Sequence, residues 1–343
     1  MVGGQVLEAV RSGGLLGGEG PVVAMLSGGR DSSCLLDVAV RLRGAAAVRA
    51  LHVNYGLREC ATTDERHCVA LCEGLGVHLE VVHAPSAEAP GGPPDGGAGA
   101  RKGAWERVQA PSGNLQAWAR EIRYGAGLRL AEASDGVLAA GHTSSDQVET
   151  ILYRLAASPG RRALLGMPER EGRLVRPLLG VSREQTAEYC RERRLGWRED
   201  ESNEDLRFAR TRVRVGLLPA LRAVHPAAEA NVLRTAALLR EETELLDGLV
   251  ASELGQGGAI ALPRLEELPS ALARMVVIRL AEEASGSFVP QAGDRVQELI
   301  ALGRRGGRAE LHVGGRAGAV VEDGRLRMIR LPPRAPGMAP GEG

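Results

Sequence analysis

Residues 21–33 read Pro-Val-Val-Ala-Met-Leu-Ser-Gly-Gly-Arg-Asp-Ser-Ser, and this stretch decides the fold of the chain around it. Its first part, residues 21–27, is an apolar run ending in small polar residues, which is typical of a buried parallel strand. Apolar residues then recur three and four positions apart and predict one face of a helix that begins near Asp31. A second apolar run, at residues 48–53, completes a strand-helix-strand unit. The apolar helix positions are Cys34, Leu35, Val38 and Leu42.

The same alternation continues through the first half of the chain. The pattern predicts a helix at residues 62–74, a strand at 77–82, a long helix at 113–133 and a strand at 137–140. Strands that alternate with helices in this way indicate an α/β fold with a doubly wound parallel sheet. Residues 84–104, rich in Ala, Pro and Gly, interrupt the alternation and are interpreted as a flexible surface insertion.

The chain divides into two predicted domains joined by a helical segment. We assign residues 1–215 to the α/β domain and residues 216–250 to a helical linker with an apolar stripe of leucines. Residues 251–331 predict a small α+β domain, in which helices give way to short strands, the last of them at 319–329. Residues 332–343 are rich in Pro and Gly and predict a disordered tail.

Composition restricts the class of protein. The 343 residues carry 43 basic and 43 acidic side chains, so a nucleic-acid surface must be local rather than a property of the whole molecule. Five cysteines, an odd number, favour free thiols in a reducing compartment. The first residues lack the apolar core of a signal peptide, and no stretch approaches the ~20 apolar residues of a membrane span. We therefore expect a cytoplasmic protein with no membrane partner.

The loop between the first strand and its helix has the chemistry of a phosphate site. Amides at a helix N-terminus attract anions, two glycines let the backbone approach phosphate, and serine hydroxyls can donate. Asp31 cannot usefully face phosphate unless a cation lies between them, so it implies Mg²⁺. The loop lacks the Gly-Lys-Ser/Thr of a Walker A motif and the spacing of a dinucleotide motif. It predicts a metal-bridged pyrophosphate bound by Ser27, Gly28, Gly29, Arg30, Asp31 and Ser32.

This Ser-Gly-Gly-x-Asp-Ser motif resembles that of the PP-loop ATPase superfamily, whose domains have the adenine nucleotide α-hydrolase-like fold. The resemblance implies ATP and Mg²⁺ as cofactors and cleavage of ATP between the α and β phosphates to activate another molecule. It leaves the acceptor undefined, because members of the superfamily synthesise GMP, argininosuccinate or asparagine, or modify tRNA by thiolation or lysidine formation.

Four further blocks resemble the tRNA(Ile)-lysidine synthetase family in order and spacing. The resemblance covers residues 20–225 and implies a ligase that joins L-lysine to the wobble cytidine of tRNA(Ile) with a CAU anticodon, giving lysidine, AMP and pyrophosphate. The region after residue 250 resembles the C-terminal domain of that family only in size and in its order of elements. The four blocks are residues 52–58, 119–124, 141–167 and 176–219.

The sequence departs from the pattern of this family at a few positions. Tyr55 stands where the family usually has His, and Thr211 where it usually has Asn. Ser145 replaces the first of two adjacent acids, and residues 157–160 replace an Arg-Gly-Ser-Gly turn. These departures concern the contacts to lysine and tRNA and leave the ATP loop unchanged.

Three side chains of the third block are candidate catalytic residues. His142 follows a predicted strand, while Asp146 and Glu149 lie three residues apart on one face of the next helix. Asp146 could complete a Mg²⁺ shell with Asp31 or, like Glu149, hold the ammonium group of lysine. A carboxylate or His142 could take the proton of that amine. In the structural alternative, the two acids cap the helix and His142 is a packed side chain.

Arginines provide the candidate contacts to tRNA or nucleotide, since planar forked donors suit phosphate oxygens. The alternative is that they are ordinary surface arginines. In the predicted C-terminal domain, Arg304, Arg305 and Arg308 are the candidates for holding tRNA. Residues 200–203 are interpreted as a turn and helix cap. The candidates in the first domain are Arg120, Arg123, Arg210, Arg212 and Arg214.

Two other functions stay open. A tRNA thiolase also adenylates a base, but it needs cysteines to carry sulfur or a cluster, whereas Cys68 and Cys72 form no C-x-x-C pair and are interpreted as packed residues. A tRNA-binding homologue that has lost turnover, through a change such as Ser145, is the other. The oligomeric state is undetermined, a homodimer being one arrangement that the sequence allows.

Overall fold

The computed structural model describes residues 2–56, 61–84, 115–158, 160–198, 208–255 and 257–332. The chain forms two compact units, residues 1–237 and 238–343. The predicted insertion beyond residue 84, the turn at 200–203 and the predicted tail beyond residue 332 lie outside the described residues. Within the described ranges, no helix has both the length and the apolar character needed to cross a membrane.

The first unit alternates helices and strands as predicted. Its described strands are β1 (Val22–Met25), β2 (Val48–Asn54), β3 (His78–His83), β4 (Val137–Ala139), β5 (Arg170–Glu171) and β6 (Leu174–Val175). Its described helices are α1 (Val2–Ser12), α2 (Arg30–Arg43), α3 (Ala61–Leu75), α4 (Leu115–Ala133), α5 (Ser144–Ala157), α6 (Arg161–Leu164), α7 (Arg183–Glu192), α8 (Ala209–Arg212), α9 (Leu218–Val224) and α10 (Ala228–Leu254), which contains the boundary between the units.

The described strands of this unit form one sheet in the order β3-β2-β1-β4-β6-β5. β1 lies parallel between β2 and β4, and β5 runs antiparallel beside β6. From β1 the chain moves outward to β3 and then returns to β4, so the strand order reverses between β1 and β4. Ligands of open α/β sheets bind at such a reversal, beyond the carboxyl ends of the strands. The predicted doubly wound α/β fold is confirmed.

The buried strand β1 shows why the fold follows from the sequence. Val22 and Ala24 belong to a core shared with α1, α2, α3 and α7, whereas Val23 and Met25 belong to a second core that contains Trp118 of α4. Because helices cover both faces of the sheet, each residue of β1 is buried, and an unbroken apolar run is required.

Two parts of the first unit were not predicted. Helix α1 buries two large residues, Val6 and Val10, one turn apart, and its first amides are held by a distant group, the carboxylate of Glu192. The apolar stretch at residues 174–179 is extended only at Leu174–Val175, where it pairs with β5, and then turns. Both features depend on contacts that local sequence patterns do not report.

The second unit is an antiparallel sheet covered by helices. Its elements are β7 (Ala259–Ala261), α11 (Leu262–Glu267), α12 (Ser270–Ser285), α13 (Val296–Arg304), β8 (Ala309–Gly314), β9 (Ala317–Glu322) and β10 (Arg325–Arg330), with the described strands in the order β7-β10-β9-β8. The single strand predicted at 319–329 is wrong. β9 and β10 form a hairpin around Asp323 and Gly324, whose φ angles of 51° and 70° suit an Asp-Gly turn.

Candidate functional site

Two loops meet at the reversal of strand order. The loop after β1 leads into α2, and the turn after β4 leads into α5. Their backbones touch at Gly141, where a Cβ atom would lie 3.1 Å from the carbonyl oxygen of Asp31 and 3.2 Å from the amide nitrogen of Ser32. A residue with a side chain would push the loops apart, so Gly141 permits the crevice to form.

The loop after β1 is held in shape by its own hydroxyl groups. Ser32 Oγ donates to the carbonyl oxygen of Gly29 at 2.8 Å and lies 3.1 Å from Ser27 Oγ. Gly28 has a φ of 81°, a conformation that disfavours other residues. Gly29, the N-cap of α2, gives no side-chain cap to the helix. The N-terminus of α2 therefore has no side-chain cap from this residue, which is compatible with the predicted anion site.

A second segment lines this loop. The amide of Arg198 donates to the carbonyl oxygen of Gly28 at 2.9 Å, and the Arg198 guanidinium pairs with Asp64 of α3. A backbone hydrogen bond therefore holds this part of the fourth sequence block against the loop after β1.

The three acids predicted for the site converge on one arginine. Arg183, at the first turn of α7, places Nε 3.8 Å from Asp31 Oδ2, Nη2 2.7 Å from Asp146 Oδ1 and Nη1 3.2 Å from Glu149 Oε1. Thr186, one turn further along α7, donates its hydroxyl to Asp31 Oδ1. The structure therefore brings Asp31, Asp146 and Glu149 together, and joins them through two residues that the sequence did not indicate.

Glu149 is the most deeply buried member of the cluster, with a side chain only 2% exposed. Both of its carboxylate oxygens accept from Arg214, at 2.7 and 3.0 Å. A buried carboxylate needs such pairing because burial disfavours its charge. Arg214, one of the predicted tRNA or nucleotide contacts, is thus engaged inside the domain.

Asp146 caps helix α5 and also belongs to the cluster. Its Oδ2 accepts from the amide and the hydroxyl of Thr143, at 2.8 and 2.7 Å, within a capping box. Burial would raise the pKa of Asp146, but Arg183 and the bonds from Thr143 outweigh it and hold the pKa below its ordinary value. The structural and chemical interpretations of this residue are therefore compatible.

His142 lies beside the acids as a neutral ring. Its Nε2 is 3.5 Å from the hydroxyl of Tyr124, and its Nδ1 is buried without a hydrogen-bond partner among the described residues. Burial lowers the pKa of His142 to about 4; Asp146 opposes the shift, and Arg176, Arg120 and Arg123 reinforce it. At neutral pH this imidazole is uncharged and a weak proton acceptor.

The predicted RNA-contacting arginines have different surroundings. The Arg120 and Arg123 guanidinium carbons lie 4.4 and 5.7 Å from the ring centre of Tyr124, which stacks them near His142. Arg210 and Arg212 are exposed on α8. These four can face a polyanion, whereas Arg214 is held by Glu149.

The departures from the family pattern have structural roles. The Tyr55 hydroxyl donates to the carbonyl oxygen of Ala119 at 2.9 Å, and its ring centre is 6.0 Å from that of Trp118. Ser145 Oγ accepts from the amide of Arg183 at 3.3 Å, which joins the starts of α5 and α7. The turn at residues 157–160 is described except for residue 159.

Sequence reasoning missed Arg183, Thr186 and the close approach at Gly141. Arg183 directly follows Ser182, whose hydroxyl caps α7, so locally it is an ordinary first-turn residue. Its partners lie 34 to 152 positions away along the chain, and no spacing rule connects them. The one local feature that could have drawn attention to Arg183 is its positive charge at the start of a helix, where the helix dipole disfavours a cation.

Comparisons with known proteins show similarity over most of the chain. The family model of the PP-loop domain matches residues 10–221. The chain is 36% identical over 252 residues to the tRNA(Ile)-lysidine synthase of Pseudomonas fluorescens (strain Pf0-1), covering 71% of this chain and 51% of that protein. It is 34% identical over 353 residues to that of Symbiobacterium thermophilum, covering 96% of this chain and 69% of that protein.

The comparisons also set limits on what similarity shows. The chain spans about half the length of the relative from Pseudomonas fluorescens. Among solved structures, it is similar to the U34-tRNA thiolase NcsA from Methanococcus maripaludis with its [4Fe-4S] cluster, with a TM-score of 0.53 and 18% identity over 69% of this chain and 78% of that one. A likeness at that identity shows a shared fold.

Proposed function

Because this chain belongs to the tRNA(Ile)-lysidine synthase family of PP-loop proteins, we propose that it is a ligase that joins L-lysine to the wobble cytidine of tRNA(Ile). The tRNA would carry a CAU anticodon, and the reaction would convert ATP to AMP and pyrophosphate. The proposal includes a cytoplasmic location and leaves the assembly, monomer or homodimer, to be measured.

One observation carries the proposal: the phosphate loop faces a cluster of acids across a single crevice. The open amides of α2 and the serine hydroxyls suit the phosphates of ATP. Asp146 and Glu149 lie on the other side and suit a cationic amino group. A site that activates one substrate with ATP and attacks with an amine needs both halves.

In the first step, the loop holds ATP so that its α phosphate meets the 2-carbonyl oxygen of cytosine. That oxygen attacks the α phosphorus, the bond to the β phosphate breaks, and pyrophosphate leaves. The residues of this chain contribute positioning and stabilisation of negative charge, through the amides of Gly28, Gly29 and the start of α2.

Asp31 and Asp146 would hold the Mg²⁺ ion. Their carboxylates converge on one guanidinium, which shows that the protein places a positive charge between them. Carboxylate oxygens are also the ligands that Mg²⁺ takes in nucleotide sites, so the residues fit the ion. When bound, it would neutralise charge on the phosphates.

In the second step, the ε-amino group of lysine attacks the activated ring carbon, and AMP leaves with the former carbonyl oxygen. Asp146 would orient the ammonium group before it loses a proton, with Glu149 behind it, held by Arg214 through both oxygens. Because the pKa of His142 is about 4, a carboxylate is the better first acceptor for that proton, and neutral His142 would orient the base or the amine.

The RNA has to present an unstacked base, since the carbonyl oxygen cannot be reached inside a stacked loop. Arg120 and Arg123, beside His142, and the exposed Arg210 and Arg212 would bind the phosphates around that base. In the second unit, Arg304 and Arg308 form exposed ion pairs with Glu266 and Glu310, which are weak enough to exchange for phosphate.

A thiolase is the less supported candidate. Cys34, Cys68, Cys72 and Cys190 are all buried. Burial raises the pKa of Cys68 to about 12 and that of Cys72 to about 11, so neither is a ready thiolate. A site that carries sulfur or a cluster needs accessible thiolates, which these four residues do not supply.

The test is incorporation of labelled lysine into tRNA(Ile) transcripts with ATP and Mg²⁺. We expect incorporation with a cytidine at the wobble position and none with a uridine there. Asp31→Ala should abolish it. Binding of the tRNA without any incorporation would instead favour a homologue that has lost turnover, and transfer of sulfur would favour a thiolase.

A further inference from the structure

Arg183 has three carboxylate partners in the crevice and no role in the proposed chemistry so far. We propose that Arg183 competes with the divalent cation for Asp31 and Asp146, and exchanges these acids for phosphate oxygens when the metal nucleotide binds. The inference rests on the ATP-binding part of the proposed function. It adds that Arg183 binds phosphate and that, before the nucleotide binds, it occupies the carboxylates of the metal site.

The bonding of the two aspartates supports this exchange. Asp31 Oδ1 accepts from Thr186 and from Arg30, and Asp146 Oδ2 accepts twice from Thr143. The second oxygen of each, Asp31 Oδ2 and Asp146 Oδ1, faces Arg183. Each carboxylate is thus fixed through one oxygen while the other can change partner. Such an arrangement suits a replaceable cation.

Arg183 also donates to Glu149 Oε1 at 3.2 Å, but Glu149 does not depend on this bond. Its two oxygens are already bonded by Arg214, at 2.7 and 3.0 Å. When Arg183 leaves, Glu149 keeps a complete ion pair, so departure does not strand a buried charge. The exchange therefore leaves Glu149, the most deeply buried acid of the cluster, without the free-energy cost of an unpaired charge.

Arg183 also has room and suitable chemistry for its second position. It lines an open cleft of about 540 Å³ together with Arg30 of the phosphate loop, and its side chain is 22% exposed. A guanidinium offers a planar fork that matches phosphate oxygens. Once a cation takes the two aspartate oxygens, the nearest anions for Arg183 are the phosphates at the start of α2.

A residue with this role has a distinctive signature, because its loss acts on the two ligands in opposite directions. Removing the guanidinium frees two carboxylate oxygens and strengthens binding of a metal ion alone. The same change removes a phosphate ligand and weakens binding of the nucleotide. A residue that merely supports the fold would weaken both.

The experiment measures binding of Mn²⁺ alone, and of Mg²⁺ with the uncleavable α,β-methylene analogue of ATP, to wild type and Arg183→Met. We expect Mn²⁺ to bind about tenfold more tightly and the nucleotide about tenfold more weakly in the variant, the scale of one hydrogen-bonded charge pair. Arg11→Met, in α1 and paired with the exposed Glu8, should change neither.

The outcomes separate this inference from the proposed function, since neither assay needs tRNA or lysine. Failure of the wild type to bind the nucleotide would overturn the ATP proposal itself. If the wild type binds normally, unchanged or weakened Mn²⁺ binding in Arg183→Met would overturn the exchange. In Asp31→Asn/Arg183→Met the gain in Mn²⁺ affinity should disappear, and its persistence would place the metal elsewhere.

Discussion

Helices α2 and α7 are joined by two acid-arginine clusters that use the same chemistry for different ends. Near their N-terminal ends, Asp31 meets Arg183 and Thr186 at the edge of the crevice. Two turns along, Asp37 accepts from the hydroxyl of Tyr189 at 2.5 Å and from Arg193 at 3.0 and 3.2 Å. The Asp31 side chain is 23% exposed, and that of Asp37 is 1% exposed.

The difference lies in which oxygens can change partner. Asp37 is bonded through both oxygens inside the core, and its cluster holds the helices together. Asp31 keeps one oxygen on fixed donors and turns the other toward a movable guanidinium at the end of β1. The same pairing of an acid with arginine can therefore serve ligand binding near the end of β1 or stabilise the contact between two helices in the core. Variants of the two clusters should separate these roles.

The largest effect is expected for Asp31→Asn. Loss of the carboxylate charge should lower lysine incorporation by about 10²- to 10³-fold, because a charge that positions the cation and phosphates is gone. The free energy of unfolding should change by less than about 1 kcal/mol, since Asp31 is partly exposed. Labelled-lysine kinetics and denaturant unfolding measure the two quantities. A large loss of stability would mean that Asp31, like Asp37, mainly stabilises the contact between α2 and α7.

The reverse pattern is expected for Asp37→Asn. An amide leaves one of the charge-assisted bonds unmade in the core, which should lower the free energy of unfolding by about 2 kcal/mol. Incorporation per folded molecule should stay within about threefold of the wild type. Urea titration together with the lysine assay at low temperature tests both, and a selective loss of activity would contradict the division.

Burial of His142 should make the free energy of unfolding depend on pH. Its folded pKa of about 4 lies below the unfolded value of 6.5, so the unfolded chain binds the extra proton between these values. Its contribution to stability is complete above pH 6.5 and falls as the pH drops toward 4, by on the order of 3 kcal/mol.

The measurement is the free energy of unfolding from pH 7 to pH 4 for wild type and His142→Gln. The variant should show a shallower loss of stability over this range, whereas Tyr189→Phe, in the other cluster, should keep the wild-type slope. Equal slopes for wild type and His142→Gln would mean that the ring is not held neutral.

The smallest effect is expected for Tyr189→Phe itself. The change removes the hydrogen bond to Asp37 but keeps the packed ring and the bonds from Arg193, so stability should fall by about 1 kcal/mol. Lysine incorporation should not change. A loss of activity as large as that of Asp31→Asn would show that the two clusters act as one.

Much of the fold, and the residue types of the loop after β1 and the start of α5, could be predicted because they depend on interactions between residues close in sequence. The apolar run at β1, the two glycines and the serines of the loop, and the helix spacing after Asp31 act within a few residues of one another. The same holds for Asp146 and Glu149, which share a helix face by spacing alone. Arg214, by contrast, was predicted only as a contact to tRNA or nucleotide. Its pairing with Glu149, 65 residues away along the chain, is not visible in any local pattern.

The sequence by itself determined the order of strands and helices in the first unit and predicted an anion site between β1 and α2. It did so because strand and helix periodicity and helix-terminal amides are properties of short segments. Only the tertiary structure decided that Asp31 and Asp146 share Arg183 while Asp37 is sealed in the core. That choice depends on β1 pairing with β4 and on α7 packing along α2, contacts between residues more than a hundred positions apart, and no local pattern encodes them.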